Sequence, residues 1–397
     1  MAKKKTHRTW GRIEQLPSGN FRAKFKHGGI LHKAPSTFKE KASAEAWLNR
    51  NKAEIDKAEA LGYKWVSPAE RENQDQLSST TVKDLIETWL ADEKALPKLS
   101  TRQSHRRHLN ARVLRESFPG FDSIADERLT AVDLERIELW WQQVEDNWPD
   151  MPDANQKAYK RLHTAFNYAI KKKFVTENPV KVAGANKKVR TKVQDRPLLE
   201  LEEADAMVEN ISPRLKAPLL ILQWAGLRLG ELLELRRKDV TDNGIVMTLS
   251  IERAAQRVKD EETGKQVMIV TPPKTEAARR RIVLPGKVAE KVREHLSTYV
   301  AENSEALLVT TEKGQPMMDT NFRSRFKYAA KQAGRADLSP HDYRRFFGTM
   351  LVTKSGINLE EARIIMGHES KEQLLDYMRA AANSKETAAS NLDRLIS

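Results

Sequence analysis

The chain contains no cysteine in 397 residues. Disulfides, thiolate zinc sites and cysteine nucleophiles are therefore excluded, and a reducing cytosol is a compatible home. Long apolar runs are missing too, so no membrane span is expected and a membrane is a poor candidate for the partner. The N-terminal MAKKKTHR is basic but no apolar stretch follows it, so it does not read as a secretory signal and a cytoplasmic location is expected. The histidines of the first half lack a set of metal-ligand partners, and neither a metal nor a cofactor is expected. What is present instead is positive charge: 69 Lys and Arg against 55 Asp and Glu leave +14 and a pI near 9.6. An excess of that size points to a polyanionic partner, nucleic acid before membrane. The length suggests two or three domains rather than one core.

Residues 9–38 alternate and turn like three short strands, WGRIEQL, FRAKFKH and ILHKAPSTF. In FRAKFKH, Phe21, Ala23 and Phe25 fall on one face and Arg22, Lys24 and Lys26 on the other, as a period of two requires. A helix opened by Ser43, carrying Trp47, Leu48, Ile55 and Ala58 and stopped by Gly62, is expected to cover the apolar face. The basic face reads either as a solvated surface or as a small module that inserts a sheet into a DNA groove. Residues 66–79, VSPAERENQDQLSS, carry no apolar periodicity and read as a linker.

From Thr81 onward the pattern is helical. Thr81 caps a helix bearing Val82, Leu85, Ile86, Trp89 and Leu90; Ser100 is expected to open a basic one bearing Arg102, His105, Arg106, Arg107, His108 and Arg112. Thr130 with Asp133 opens a third, residues 154–174 form a fourth, and Asn178 with Pro179 closes a small bundle. A charged helix is ordinarily only a solvated face. The stretch GANKKVRTKVQDR, with Lys187, Lys188, Arg190, Lys192 and Arg196, reads as an extended tether that can cross a DNA backbone. Beyond it come helical patterns at 199–208, 215–224, 287–300 and 321–333, and strand-like segments at 245–251, 267–270 and 281–284, the first two flanking a charged loop. The expected class is α+β and multidomain. Residues 1–66 form a small three-stranded sheet plus helix, residues 80–183 a helical bundle, and residues 197–397 a mainly helical domain with a small antiparallel sheet. The end of the chain, through Leu392, Leu395 and Ile396, can form a short helix that docks on a neighbour or frays.

Three stretches carry the chemistry. In AGLRLGEL, Arg228 and Glu231 lie three apart, so the carboxylate can hold the guanidinium in one orientation. In KTEAARRRIVLP, Lys274 sits at the turn between the last two strand-like segments, with Lys259 and Lys265 as rivals for any role assigned to it. The third stretch, residues 339–377, opens SPHDYRR: Ser339 suits an N-cap, Pro340 the first helical position, and Asp342 a capping-box acid. His341 then lies in the first turn, and Arg344 lies three residues on, where a helix N-terminus favours a phosphate. Gly367 and His368 follow a second helical pattern, and Tyr377 comes nine residues later.

Together these stretches resemble the tyrosine recombinase, or phage integrase, family, and specifically the lambda-type members with an N-terminal arm-binding domain. Arg228, Lys274, His341, Arg344, His368 and Tyr377 match the family's catalytic positions in order and spacing. Tyr343, Arg345 and Met366 depart from its commonest wording without removing a reacting group. The motif resemblance covers about the last half of the chain; the first half matches in architecture. It implies a site-specific recombinase working through a 3′-phosphotyrosyl intermediate, with Tyr377 as nucleophile and Arg228 and Arg344 as phosphate clamps. Lys274 is then general acid, His341 a proton acceptor or phosphate ligand, His368 a phosphate hydrogen bond and Glu231 the orienting acid. It implies an arm-type DNA-binding domain at 1–66, using Arg22, Lys24 and Lys26, and a core-binding domain at 80–183, using Arg102, Arg106 and Arg107. The implied partners are core and arm attachment sites in double-stranded DNA of a bacterial host, a homotetramer on that DNA, a host DNA-bending protein and an excisionase. Rival readings are a type IB topoisomerase, a chromosome-resolving recombinase and a catalytically silent DNA-binding regulator. The added N-terminal module argues against the first two, and retention of all six candidate residues against the third.

Overall fold

Two adjacent glycines, Gly28 and Gly29, take φ of 55° and 81°, a pair of left-handed values that only a two-residue hairpin turn of the glycine-requiring kind asks for. They join β2 (Phe21–His27) to β3 (Ile30–Lys33), and β1 (Arg12–Gln15) pairs with the other edge of β2, giving an antiparallel sheet of order β1-β2-β3. The computed structural model describes residues 10–71, 79–187, 197–273, 275–367, 370 and 374–375. The chain falls into two compact units, residues 1–189 and 190–397.

In the first unit Ala23 and Phe25 of β2 are buried with Leu48 and Ile55 of α1 (Lys41–Leu61), and Phe25 stacks on Trp10 at 4.6 Å and meets Trp47 at 5.5 Å. Gly62, at φ 70°, ends the helix. Ser43 does not open it. Phe38 pairs with Phe21 through two backbone hydrogen bonds, so the chain has already turned by Glu40, and Glu40 occupies the cap position with no side-chain bond. Nor is all of 66–79 a linker. Ser67 and Glu70 bond reciprocally, backbone N–H to carboxylate at 2.9 Å and backbone N–H to hydroxyl at 3.2 Å, and start a helical turn at 68–71. Arg71 then donates to Asn51 of α1 at 2.6 Å, which docks the turn.

A separate core in the same unit gathers α2 (Val82–Ala91), α3 (Leu99–Asn110), α4 (Leu134–Asn147) and α5 (Pro152–Lys171) around Trp140, Tyr159 and Phe166. Thr81 and Asp84 close a capping box on α2. The starts of α3 and α4 differ from expectation. The Lys98 carbonyl already accepts from the Arg102 N–H, so Ser100 lies inside α3, and Asp133 itself caps α4 by accepting from the Arg136 N–H at 2.9 Å, leaving Thr130 outside. The chain also stays in the bundle past Pro179, because Val180 and Ala185 are buried in the same core.

The second unit builds one large core from α6 (Leu201–Asn210), α7 (Pro213–Ala225), the short α8 (Leu229–Leu233), α9 (Gly286–Tyr299), α10 (Asp319–Gln332) and α11 (Pro340–Thr353). A smaller cluster joins α11 to α12 (Leu359–Met366). Its strands form two ladders rather than one. β4 (Val240–Asp242), β5 (Met247–Ile251) and β8 (Arg280–Val283) run in the order β4-β5-β8, while β6 (Ala254–Lys259) and β7 (Gln266–Thr271) form a hairpin between β5 and β8. The expected charged loop is in part strand β6. Its sequence AAQRVK buries only Val258 fully, so it lacks the apolar alternation by which strands are read. Among the described residues no helix is long and apolar enough to cross a membrane.

Candidate active site

The site is built where α7 hands over to α8. Gly226 ends α7 at φ 56°, and a Cβ there would lie 2.3 Å from the Phe347 ring, so this corner admits glycine alone. Arg228 follows as the cap residue of α8. Its backbone N–H donates to Glu231 Oε2 at 3.0 Å, and its Nη1 donates to Glu231 Oε1 at 2.7 Å. The i, i+3 relation read from the sequence therefore holds, but as a cap with its acid rather than two residues inside one helix. Gly230 lets β6 come close, its Cβ position being 2.5 Å from the Ala255 carbonyl oxygen.

A second arginine uses the far side of the same carboxylate. In the run Arg279, Arg280, Arg281, strand alternation turns only the middle side chain inward, and Arg280 Nη2 donates to Glu231 Oε2 at 3.0 Å with both side chains buried. A third arrives from α11, whose start is as expected. The Ser339 N–H and hydroxyl each donate to Asp342 Oδ2 at 2.7 Å, and Pro340 takes the first turn. Arg344 is 1% exposed, and donates from Nη1 to the Gly226 carbonyl at 2.7 Å and from Nη2 to the Met366 carbonyl at 2.5 Å.

The three guanidiniums converge on the carboxyl end of α12. Arg280 Nε donates to the Ile365 carbonyl at 2.9 Å, Arg344 to Met366, and Arg228 Nη2 to Gly367 at 3.4 Å. Three consecutive carbonyls left unpaired by the helix end thus receive cationic donors, where the helix dipole is negative. Gly367 ends α12 at φ 63°, and its Cβ position is 3.0 Å from the Ala277 carbonyl and 3.2 Å from Ala278 Cα, which brings the helix end against the segment before β8.

The electrostatics follow from this geometry. Burial pushes the Glu231 pKa up, but the charge and hydrogen bond of Arg280 and the charge of Arg228 outweigh it, and the net shift is downward. Glu231 is a carboxylate. His341, at the solvent edge of the first turn of α11 between buried Pro340 and half-buried Asp342, has its pKa lowered first by desolvation and then by the charge of Arg344, with Arg228 and Arg345 adding and Asp342 opposing. It is a neutral imidazole at pH 7, able to accept a proton. Two guanidiniums on one carboxylate, a third bound to the carbonyls at the same helix end, and a neutral histidine beside them suit an oxyanion, and phosphate geometry suits the arginine forks.

Comparison with known proteins fits this chemistry. Residues 197–384 match the model of the phage integrase family, and residues 9–57 match that of the phage integrase N-terminal domain. The integrase of Mycobacterium phage D29 is 29% identical over 392 residues, covering 98% of this chain and 97% of that one. The integrase of Mycobacterium phage L5 is 28% identical over 392 residues, covering 98% of each. The chain belongs to the phage integrase family. That makes it a tyrosine recombinase, an enzyme class that breaks and rejoins DNA site-specifically. Among solved structures, the Tn1549 transposon integrase in complex with a circular intermediate DNA matches with a TM-score of 0.61 at 18% identity, over 80% of this chain and all of that one. A lambda integrase dimer bound to a COC′ core site matches with a TM-score of 0.52 at 17% identity, over 92% and 93%. At those identities both speak for the integrase fold.

Of the six reacting residues expected in this integrase-family chain, Arg228, His341 and Arg344 are brought together. Lys274, His368 and Tyr377 lie outside the described residues. Leu374, three residues before Tyr377, is buried with Phe347, Ala362 and Met366. Arg280 is not among the expected residues: alternation with buried Ile282 and Leu284 is a local signal that it points inward, but the groups it meets are distant in sequence. The cations proposed to touch DNA divide further. Arg22 and Lys26 are exposed, but Lys24 between them pairs with Glu14 at 2.7 Å. Arg102 pairs with Glu93 at 3.1 Å, and Arg106 makes a two-pronged pair with Glu87 at 2.6 Å, whereas Arg107 is exposed and, among the described residues, unpaired. Arg112 and His105 are structural. Arg112 sits 4.1 Å over the Trp148 ring and donates to Asn155, and buried His105 stacks on Trp89. Lys187 is exposed and its carbonyl accepts from Gln156; Lys188, Arg190 and Lys192 lie outside the described residues.

Proposed function

We propose that the chain cleaves and rejoins DNA by attack of Tyr377 on a phosphodiester held by Arg228 and Arg344, integrating and excising a phage or mobile element. The observation that carries this reading is the convergence of Arg228 and Arg344, with His341 beside them, on the helix end from which the chain continues to His368 and Tyr377. The Tyr377 hydroxyl oxygen attacks phosphorus, giving its proton to neutral His341, while the 5′-oxygen departs with a proton from Lys274. Charge gathering on the nonbridging oxygens is met by the two guanidiniums and by His368. The product is a 3′-phosphotyrosyl bond, and a 5′-hydroxyl from another strand reverses the step, returning the proton to Lys274 and restoring Tyr377. No bond energy is lost to hydrolysis, so no nucleotide cofactor is needed.

In the same reading residues 1–66 bind arm sites, residues 80–183 grip the core site, and residues 197–397 carry the reaction in a homotetramer assembled on the DNA. A host DNA-bending protein and an excisionase set the direction of the reaction. The test is capture. A labelled pool of randomised duplexes, each with one nick, is mixed with the protein and quenched in detergent. The nick lets the cleaved end diffuse away, so the covalent complex accumulates. The parent protein should retain DNA and Tyr377→Phe should retain none, while both bind the enriched duplex equally before quenching. Retention by Tyr377→Phe, or none by the parent, overturns the reading.

A further inference from the structure

Arg280 is buried, charged and assigned no role by the six-residue scheme, yet each part of its guanidinium reaches something that matters to the site. Nη2 holds Glu231, the acid that orients Arg228; Nε holds the Ile365 carbonyl; Nη1 holds the Ala278 carbonyl in the segment that follows Lys274. Its aliphatic stem touches the end of α12, since the Cβ position of Gly367 lies 3.0 Å from Arg280 Cδ. One planar group therefore fixes the distances between the acid behind Arg228, the chain entering His368 and the chain leaving Lys274. We propose that Arg280 is a positioning residue for strand cleavage, setting the Arg228 guanidinium through Glu231 and the carboxyl end of α12 through the Ile365 carbonyl.

Stability alone does not call for such a group. A buried ion pair is often replaced by packed apolar side chains with no loss, because desolvation offsets much of the attraction. Its neighbours show what an arginine here does without that role: Arg279 is exposed and pairs with Glu276, and Arg281 is exposed. The fork geometry also matters. A lysine at 280 can satisfy Glu231 with its point charge but cannot reach Glu231, Ile365 and Ala278 together from one planar head. Small displacements of a phosphate clamp act on the rate more than on DNA affinity, since affinity is spread over many backbone contacts.

The proposal rests on the recombinase reading above, and the experiment separates the two. The full chain, Arg280→Met, Arg280→Lys, Glu231→Gln, the Arg280→Met and Glu231→Gln double variant, and Tyr377→Phe are compared on the duplex enriched from the nicked pool. The readouts are the single-turnover capture rate at saturating DNA, the dissociation constant before quenching, and the urea midpoint. Arg280→Met should slow capture about 100-fold with affinity changed less than about threefold, and Arg280→Lys about 10-fold. The double variant should be no slower than the worse single one, because the two residues act as a unit. Capture by Arg280→Met at the parental rate, additive losses in the double variant, or a loss of affinity in step with rate overturns the positioning role while Tyr377→Phe stays silent. Capture by Tyr377→Phe overturns the recombinase reading and this one with it. If Arg280→Met does not fold, Arg280→Lys, which keeps the charge beside Glu231, carries the same test.

Discussion

Arginine is abundant in both units, and its use differs between them. On α3 in the first unit, Arg102 and Arg106 face carboxylates of their own, Glu93 and Glu87, at the surface, and Arg136 of α4 is held by Asp122 and Glu127. In the second unit Arg228 and Arg280 share the single carboxylate of Glu231, and these two together with Arg344 also donate to backbone carbonyls. Exposed pairs contribute little to stability and cancel charge. Two guanidiniums on one carboxylate leave positive charge in excess, and since Arg280 and Glu231 are buried while the Arg228 side chain is 41% exposed, that excess is presented at Arg228. Counting basic residues locates neither behaviour. What separates the proposed phosphate site from a decorated helix is that the Glu231 carboxylate is outnumbered by arginines already held in place.

The sharpest way to break that contrast is Arg344→Ala. It leaves the Gly226 and Met366 carbonyls without their charged donor, so unfolding in urea should show a loss of about 3 kcal/mol, and DNA capture should vanish. A midpoint shift no larger than that of Arg106→Ala would mean the buried and surface arginines are equivalent after all. A smaller effect is expected at His105, buried beside Trp89, whose pKa is lowered to about 4 by desolvation, with Arg161 and His108 adding. Because the unfolded chain binds its proton near 6.5, stability should rise with pH between about 4 and 6.5. His105→Phe should flatten that part of a urea-midpoint profile; an unchanged slope would assign it to other groups. The smallest effect sharpens the comparison inside α3. Arg106→Ala should cost under about 1 kcal/mol and hardly change DNA binding. Arg107→Ala should lower the log–log salt slope of DNA binding by roughly 0.9, one phosphate's worth. Equal slopes for the two variants would show that the Glu87 pair opens on DNA.

What can be read from sequence follows the range of the interaction. The start of α11 is legible because Ser339, Pro340 and Asp342 are three local signals for one event. Arg228 and Glu231 are legible because three residues separate them. Helix interiors, hairpin glycines and the apolar face of β2 are legible from periodicity. The starts expected at Ser43, Ser100 and Thr130 are misplaced because distant pairings and carbonyls already engaged decide where a helix begins, as the bond between Phe21 and Phe38 does for α1. Alternation with Ile282 places Arg280 on the inward face of β8, but its role is not legible because its partners need the register of β8 against β5 and the arrival of α12, some 85 residues along the chain. The pairing of Arg106 is hidden for the same reason, since Glu87 lies on another helix.

The pairing of β5 with β8 has a consequence for engineering. Ile251 lies directly opposite Arg280, so the chain leaves and re-enters the three-stranded sheet at adjoining points, and residues 252–279 are an excursion between them. Such an excursion is a cassette. A two-residue Asn-Gly turn is the shortest closure of the Ile251 and Arg280 pair, and it would remove Lys274 together with the Ala255 carbonyl packed on Gly230 and the Ala277 and Ala278 contacts with Gly367 and Arg280. Cassettes from related chains, spliced at the same two points, exchange the segment that carries Lys274, the proposed proton donor, together with the Ala278 carbonyl that meets Arg280.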